Sequence, residues 1–395
     1  MAARALDGIR VLDVTQVMAG PFCAMLLADL GADVIKIEPP AGDSTRQMPG
    51  GTGLDSPSFN AVNRGKRGAA LNLKSAAGCE VFVRLARASD IVIENYRPGV
   101  MDALGLGYPQ LSAVNPRLIY ASISGYGQTG PARGKGGFDL VAQGVSGIMS
   151  VTGEPGSAPA KAGVPLTDLG AGLFAAVGIL AALNHRHANG AGQHIDTSLV
   201  DAGVALSVWE ATEYFSTGTV PTALGSAHRM NAPYQAIRCA DGYITLGAAN
   251  DRLFERLCDL LGRRDWLERP EFADNASRVR NRARLAAEIE AITAREPARQ
   301  WLERLDAHDI PCGPINDYAH VFADPQVLAR GMVVDGQHPA LGRVKTLGSP
   351  IKMSATPPDV ARRAPMFGEH TDAILREAGY ADHEIAALRD AGAVR

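Results

Sequence analysis

Ile9-Arg-Val-Leu-Asp-Val14 opens the pattern that decides the fold: an apolar strand leads into a helix over Phe22–Leu30, and a second strand follows over Val34–Glu38. Two such strands joined by a helix form a βαβ unit, and neighbouring parallel strands need a crossover of this kind. Further strands are predicted at Ile91–Glu94, Leu118–Ser124 and Gln193–Thr197, and helices at Ala77–Ala88, Phe138–Ser146 and Leu199 to about Phe215. The alternation predicts an α/β fold with a parallel sheet.

The character of the chain changes near Thr217. Gln235–Cys239 and Tyr243–Gly247 flank Asp241-Gly242, a pattern that predicts a β-hairpin. Charged helices are predicted after it, at Asp251–Leu261, Ala276–Thr293 and Glu296–Ala307. We expect a large domain over residues 1–216, a smaller α/β domain over 217–315, and a segment over 316–395 that returns to the large domain.

Composition places the chain among soluble globular proteins, since 46% of its residues are hydrophobic and 21% are charged. A net charge of −3 provides no general attraction to nucleic acid or to an anionic membrane. The five cysteines are scattered and form no Cys-x-x-Cys pair, which argues against disulfides and a structural zinc site. We expect a cytoplasmic protein without bound metal, in which the apolar run Leu173–Leu183 is a buried helix, too short to cross a membrane.

Asp168 is the only ionisable side chain between Lys161 and His185. It precedes an apolar helix that is expected to pack inside the protein, where an unpaired charge is costly. Two interpretations stay open. Aspartate is a favoured capping residue at helix N-termini, and a carboxylate kept ionised by the N–H groups and dipole of such a terminus can also act as a nucleophile.

Gly125-Tyr-Gly-Gln-Thr-Gly130 follows a strand and matches the glycine pattern of dinucleotide-binding enzymes. That function requires a helix to start at the third glycine. Here Pro131-Ala-Arg-Gly134 follows instead, which cannot continue as a helix. We therefore expect a glycine-rich flap that covers a reactive intermediate, and no dehydrogenase.

Basic residues cluster at two places. Arg64, Lys66, Arg67 and Lys74 surround a short apolar run, and Asn95-Tyr-Arg97 follows the strand that ends at Glu94. Carboxyl ends of parallel strands are where α/β sheets bind ligands, so these residues could hold a phosphorylated adenosine. Taken singly, each cluster also fits a solvated basic edge.

Five segments together resemble the class III CoA-transferases, the family of formyl-CoA transferase and the CaiB/BaiF proteins. They are Leu6-Asp-Gly-Ile-Arg-Val-Leu-Asp13, Ala19-Gly-Pro21, Leu30-Gly-Ala-Asp-Val-Ile-Lys-Ile-Glu38, Ile93-Glu-Asn-Tyr-Arg-Pro-Gly99 and the Asp168 segment. The likeness continues to Phe367-Gly-Glu-His-Thr-Asp372. Gly225-Ser-Ala-His228 and Gly247-Ala-Ala-Asn250 resemble the succinyl-CoA-dependent dicarboxylate subgroup. The resemblance implies a Rossmann-like large domain and an interlocked homodimer.

The same resemblance assigns site residues. Asp168 falls at the catalytic aspartate, and Gln16 and Gly127 are expected beside the reacting atoms. The CoA-contacting segments fall on Met18, Ala19, Leu71, Asn72, Leu73, Lys74, Asn95, Tyr96, Arg97, Lys135, Gly136, Gly137, Phe138 and Asp139. We further expect Arg46, His228 and Arg229 to bind the far carboxylate of a dicarboxylic acceptor. No cofactor is expected to be tightly bound, because CoA itself is the substrate.

The predicted reaction moves CoA from an acyl-CoA, in this subgroup succinyl-CoA, to a carboxylic acid through aspartyl anhydride and aspartyl-CoA thioester intermediates. Pro39 and Ala103 stand where formyl-CoA transferase has arginines, which disfavours formyl-CoA and oxalate as the natural pair. A 2-methylacyl-CoA racemase of the same fold is the alternative. Racemases have a histidine where this chain has Phe138, which cannot carry a proton. A third possibility is a CoA-binding protein without chemistry.

Overall fold

The structure is a computed structural model that describes residues 4–50, 53 and 55–395. The chain divides into two compact units. The first contains the chain up to Ile148 together with Ala162–Thr212 and Pro325–Arg395, and the second contains Met149–Lys161 and Glu213–Asp324. The sequence did not indicate that Met149–Lys161 joins the second unit. A backbone hydrogen bond from Gly225 N–H to the Gly153 oxygen (2.9 Å) ties that segment there.

The strands of the first unit form a parallel sheet of six, in the order β3-β2-β1-β4-β5-β6. They are β1 Arg10–Asp13, β2 Asp33–Glu38, β3 Arg67–Ala70, β4 Ile91–Glu94, β5 Ile119–Ser124 and β6 His194–Ser198. The second unit has an antiparallel sheet of β7 Tyr234–Arg238, β8 Tyr243–Gly247 and β9 Cys312–Pro314. In the first unit, β10 Val333–His338 pairs with β11 Gly342–Leu347.

The α-helices up to the second unit are α1 Ala19–Asp29, α2 Pro57–Asn63, α3 Ala76–Arg87, α4 Val100–Ala103, α5 Tyr108–Val114, α6 Asp139–Val145, α7 Ile148–Val151, α8 Leu166–Asn189, α9 Leu199–Leu206 and α10 Val208–Thr217. The remaining ones are α11 Asp251–Leu261, α12 Asn275–Arg280, α13 Arg282–Thr293, α14 Ala298–Ala307, α15 Tyr318–Val321, α16 Pro325–Ala329, α17 Thr371–Glu377 and α18 Asp382–Asp390. Short 3₁₀ turns cover Ser44–Gln47 and Arg264–Glu268.

Both faces of the parallel sheet are buried along β1, β2, β4 and β5, whereas the edge strand β6 is partly exposed. Val11, Ile93 and Ala121 face a core that α1, α8 and α9 complete, whereas Leu12 and Val92 face a second core that α3, α5, α17 and α18 complete. Strands covered on both sides lack the polar alternation of half-exposed strands, which explains why the sequence patterns of β1, β2, β4 and β5 were predictive. The small β3, Arg-Gly-Ala-Ala, has no such run and was not predicted as a strand.

Two predicted helices are each divided. Ser207 separates α9 from α10, and its hydroxyl donates to the Gly203 carbonyl oxygen (3.0 Å). Asn281 separates α12 from α13, and its side-chain amide donates to the Ser277 and Glu271 carbonyl oxygens. Short polar side chains that bond the backbone in this way compete with helix continuation. Hydrophobic periodicity does not contain that information.

A fully buried ion cluster lies under the loop between β1 and α1. The Lys66 ammonium is 2.7 Å from the Asp13 carboxylate and also donates to the Asn63 and Pro21 oxygens. Lys36 pairs with Asp43 at 3.1 Å and donates to the Thr15 carbonyl oxygen. Burial by itself would raise the pKa of Asp13, but the charges of Lys36 and Lys66 outweigh it and hold that pKa below its usual range.

Helix α8 is longer than expected and only one of its faces is buried. Gly170, Ala171, Ala175 and Ile179 pack in the first unit, but Leu173, Phe174, Val177 and Leu180 are exposed. The helix predicted to be buried is therefore buried on one face only. With 24 residues, α8 also has the length and composition of a membrane-crossing helix, a test that core helices of soluble proteins pass as well.

Replacing Lys66 by methionine is expected to lower the free energy of unfolding by about 3–5 kcal/mol, because it leaves the buried Asp13 carboxylate without its nearest cation. Lys74→Met, at an exposed lysine, is the matched control and is expected to change stability by no more than about 0.5 kcal/mol. Urea denaturation followed by circular dichroism measures both. Equal denaturation midpoints for the two variants would show that the cluster does not stabilise the first unit.

Candidate active site

A cavity of about 290 Å³ opens at the carboxyl ends of β1, β4 and β5. The strand order reverses between β1 and β4, and in open parallel sheets this switch point is where ligands bind. The lining residues come from four segments of the first unit and from two helix starts: Gln16, Val17, Met18, Ala19, Asn95, Tyr96, Arg97, Pro98, Ile123, Ser124, Gly125, Lys135, Gly136, Gly137, Phe138, Asp168 and Leu199.

Most of the residues predicted for the site lie in this cavity. Those that line it are Gln16, Met18, Ala19, Asn95, Tyr96, Arg97, Lys135, Gly136, Gly137, Phe138 and Asp168. Gly125 also lines it and belongs to the loop Gly125–Gly130, whose backbone N–H groups were expected to stabilise an oxyanion. Sequence reasoning missed Val17, Pro98, Ile123, Ser124 and Leu199. A signal for Ile123 and Ser124 was present, because these residues end a predicted strand whose carboxyl end was expected to bind ligands.

Asp168 lies in the first turn of α8, at the cavity wall, and does not cap the helix. The capping position is Pro165, and among the described residues the Asp168 carboxylate forms no hydrogen bond or ion pair. Burial, together with the negative charge of Asp139, raises the pKa of Asp168 to about 6. The helix terminus therefore does not lower this pKa below its usual range, although a carboxyl group with a pKa of about 6 is still mostly ionised at neutral pH. Its pKa lies close to neutral pH and its oxygens are available to a ligand.

Asp139 performs the role that was considered for Asp168. Its carboxylate accepts hydrogen bonds from the Thr167 backbone N–H (3.0 Å), the Thr167 hydroxyl (2.8 Å) and the Gln143 amide (2.7 Å). It therefore satisfies a free N–H of the first turn of α8. Asp139 does not line the cavity, so the structure does not support the expectation that it contacts CoA. It holds the start of α8 and places a negative charge near Asp168.

Gly172 allows α8 to approach α1. A Cβ atom at this position would lie 2.6 Å from the Ala19 carbonyl oxygen, closer than any side chain tolerates. Asp168 lies one helical turn before Gly172. The glycine thus brings Asp168 to the end of the cavity formed by Ala19 and its neighbours.

The two ends of the glycine-rich segment, Gly125 and Gly137, lie in contact with each other. A Cβ atom on Gly137 would be 2.4 Å from the Gly125 Cα atom, so the two backbones touch. No helix starts at Gly130, and the next one begins only at Asp139, which agrees with the rejection of a dinucleotide-binding loop. Gly127 donates its N–H to the Ser124 hydroxyl (2.9 Å) and does not line the cavity. The expectation that it contacts the reacting atoms is not supported.

Arg97 and Lys135 supply positive charge to the cavity. Among the residues that the structure describes, neither side chain forms an ion pair, so both can bind an anionic ligand. The segment Leu71–Lys74 lies elsewhere. Leu71 is buried, and Asn72 bonds the backbone of Gly392 and Ala393 near the carboxyl end of the chain. These four residues do not line the cavity, and their contact with CoA stays a prediction.

Arg46 cannot reach a substrate in this structure. Its side chain is fully buried and bonds the carboxylates of Glu38 (2.6 and 2.7 Å) and Asp55 (3.0 Å). Because the guanidinium is buried and engaged by two carboxylates, the prediction that Arg46 binds the acceptor is wrong. His228 and Arg229 belong to the second unit, where the His228 ring packs edge-on against Tyr234 and Arg229 pairs with Glu213 at 3.3 Å.

Comparison with known sequences adds the family. The sequence profile of CoA-transferase family III matches residues 6–371. The chain is 39% identical to succinyl-CoA:glutarate CoA-transferase from Homo sapiens, over 98% of this chain and 90% of the relative. It is 40% identical to succinyl-CoA:mesaconate CoA-transferase from Haloarcula marismortui, over 95% of this chain and 96% of the relative.

Comparison with solved structures leads to the same family. The crystal structure of a CaiB/BaiF family protein from Brucella suis is similar with a TM-score of 0.84 and 40% identity, covering 95% of this chain and 99% of that one. These matches confirm the resemblance drawn from the sequence motifs. They extend over nearly the whole chain and include the segments that form the cavity. The chain therefore belongs to CoA-transferase family III and is an enzyme of the CoA-transferase class.

Proposed function

We propose that this enzyme transfers CoA from succinyl-CoA to a dicarboxylic acid, with Asp168 as the covalent nucleophile. The observation that carries the proposal is the Asp168 carboxylate itself, which is half-buried, has no partner among the described residues and lines a cavity that also contains Arg97 and Lys135. The relatives named for glutarate and mesaconate support a dicarboxylic acceptor.

In the proposed reaction the Asp168 oxygen attacks the thioester carbon of succinyl-CoA. The C–S bond breaks, giving a succinyl-aspartyl anhydride and CoA thiolate. The thiolate then attacks the aspartyl carbonyl, releasing succinate and leaving an aspartyl-CoA thioester. The acceptor carboxylate then attacks the aspartyl-CoA thioester and expels CoA thiolate, which gives an acceptor-aspartyl anhydride. The thiolate attacks the acceptor carbonyl of this anhydride, so that the acceptor leaves as its CoA thioester and the Asp168 carboxylate is restored. Each intermediate is an activated acyl group, so little free energy is lost between steps.

The cavity provides the other requirements of this chemistry. We infer that Arg97 and Lys135, two cationic side chains of the cavity lining, bind phosphate groups of CoA. Backbone N–H groups of the Gln16–Ala19 loop are candidates to stabilise the tetrahedral oxyanion, and the Gln16 side chain, which donates to the Tyr96 hydroxyl (3.3 Å), lies in the same wall. His228 and Arg229 remain predicted acceptor contacts.

Racemisation is the less favoured alternative. It needs a second acid/base group across the substrate from Asp168. Phe138 lines the cavity at the position expected for that group and cannot exchange a proton. The cytoplasmic location of the enzyme stays a prediction.

Incubation with succinyl-CoA followed by borohydride is expected to convert Asp168 to homoserine, because borohydride reduces an activated aspartyl ester to the alcohol. Peptide mass spectrometry localises the change. Asp168→Asn is expected to abolish the label and turnover but to retain CoA binding. If the wild-type peptide stays unmodified while CoA binds and turnover proceeds, the covalent mechanism is wrong.

The rate is expected to depend on ionisation of Asp168. Its pKa of about 6 predicts that kcat/KM for succinyl-CoA rises with pH through about 6 and then levels off, because only the carboxylate is nucleophilic. Asp139→Asn keeps an oxygen for the Thr167 N–H but removes the like charge, so the midpoint should move to lower pH. Asp335→Asn, at an exposed carboxylate of β10, is the control. An unchanged midpoint in Asp139→Asn would contradict the assigned cause.

We also propose a homodimer formed through the exposed apolar face of α8 and α9. Leu173, Val177 and Leu180 follow the i, i+4, i+7 spacing of one helical stripe, and Val204 and Leu206 are exposed on the adjoining α9. Large apolar side chains exposed together on one helix are typical of an interface. The interlocked arrangement of the two chains is a prediction from the family.

Sedimentation without detergent is expected to give twice the mass of the chain. Val177→Glu places a charge on the 64% exposed position in the middle of the stripe and is expected to shift the protein toward monomer. Val114→Glu, at the end of α5 on the other side of the sheet, is the matched control and should stay dimeric. A wild-type protein that is monomeric, or that needs detergent to stay dispersed, would contradict the dimer.

A further inference from the structure

Val17 in the cavity wall has an unfavourable backbone conformation. Its φ is +69°, in the left-handed region, where the branched Cβ of valine collides with the neighbouring carbonyl oxygen. Glycine adopts this conformation without penalty. Strained residues of this type persist only when the surrounding structure holds them in place. The contacts on either side of Val17 therefore identify what imposes the conformation.

The segment before Val17 is held by the ion cluster. The Asp13 carboxylate accepts the Thr15 N–H (3.0 Å) and the Thr15 hydroxyl, and Lys36 donates to the Thr15 carbonyl oxygen. The segment after Val17 is held by Lys66 and by close packing on Thr15. Lys66 donates to the Pro21 carbonyl oxygen (3.0 Å), and Gly20 packs so closely on Thr15 that a Cβ would lie 2.3 Å from its side chain. Both ends of the loop are therefore anchored.

Asn95 holds the residue next to Val17. Its side-chain oxygen accepts the Gln16 N–H (2.8 Å), and its side-chain nitrogen donates to the Gln16 carbonyl oxygen (2.8 Å). These are the two bonds that a neighbouring strand would supply. Beyond the ends of β1 and β4, the Asn95 amide thus takes over the pairing of the two strands, and both polar ends of that amide bond the loop.

We propose that Asn95 is a positioning residue for the transfer reaction: its paired hydrogen bonds to Gln16 keep Val17 in the left-handed conformation and fix the wall of the cavity that faces the reacting acyl group. The inference rests on the proposed function. A wall held before the substrate arrives does not have to be ordered during the reaction, and small displacements of such walls lower rates strongly. This role differs from the CoA contact that the family resemblance implied for Asn95.

The strain at Val17 makes the proposal testable. Without Asn95, a valine at position 17 would relieve its strain by leaving the left-handed region, whereas a glycine has no such strain to relieve. The loss caused by removing Asn95 should therefore depend on the residue at position 17. A direct contact between Asn95 and CoA has no such dependence, because the contact is lost equally in both backgrounds.

The experiment compares wild type, Asn95→Ala, Val17→Gly and the double variant, with succinyl-CoA and glutarate as probe substrates. Asn95→Ala is expected to lower kcat by about 100-fold, the scale of a misplaced catalytic wall. In the Val17→Gly background the same change is expected to cost about tenfold or less. KM for succinyl-CoA and the Kd for CoA, measured by calorimetry, should stay within about threefold in all four proteins.

Equal losses in both backgrounds would overturn the proposal, and so would a Kd for CoA that rises in proportion to the lost rate, which would make Asn95 a CoA contact. If Asn95→Ala does not fold, Asn95→Ser removes the paired hydrogen bonds of the amide without adding a charge and is compared in the same two backgrounds. If the wild type transfers no CoA, the proposed function fails. The positioning role is then judged by crystal structures, in which Val17 should leave the left-handed region when Asn95 is replaced.

Discussion

The pairing of Asp13 with Lys66, together with Lys36 and Asp43, is the contact on which the site depends. Asp13 is the last residue of β1, and Lys36 lies on β2. Four charges without solvent contact are costly to bury, and their mutual attraction and hydrogen bonds must offset that cost. In return, the ion cluster fixes both ends of the loop between β1 and α1. The same ammonium and carboxylate groups that satisfy one another also bond the Thr15 and Pro21 backbone, which brackets the loop that lines the cavity.

Charge is used in the opposite way at Asp168. Asp13 has cations beside it, whereas the Asp168 carboxylate forms no ion pair with any described residue. Burial, together with the charge of Asp139, raises the pKa of Asp168 rather than lowering it. A nucleophile benefits from this arrangement. A carboxylate engaged in an ion pair would be stabilised and slow to react, whereas one with a pKa of about 6 is mostly ionised at neutral pH and is unpaired. The nearby Asp139 is itself saturated by Thr167 and Gln143.

Helix α8 carries both Asp168 and the exposed apolar stripe, because its faces have different chemistry. Gly172 permits contact with α1 and so places Asp168 at the cavity, whereas Val177 and its apolar neighbours on the opposite face are exposed. From sequence, the two faces are hard to distinguish: glycine, alanine and larger apolar residues alternate along the helix without a polar side. The sequence therefore predicted the helix, but not that one face stays uncovered in the single chain.

The sequence by itself determined the parallel sheet, the strand ends at which the cavity opens, the family and the choice of Asp168 as the candidate nucleophile. These follow from local patterns: apolar runs bounded by glycine, and short motifs with fixed spacing. The tertiary structure decided which charged residues are available. Arg46 and Arg97 are both arginines that the sequence predicted to contact a ligand. In the structure, Arg46 is buried between Glu38 and Asp55, whereas Arg97 faces the cavity. Likewise only the fold shows that Asp139 holds the helix start while Asp168 does not. Availability depends on partners that are distant in the chain, and no local pattern encodes them.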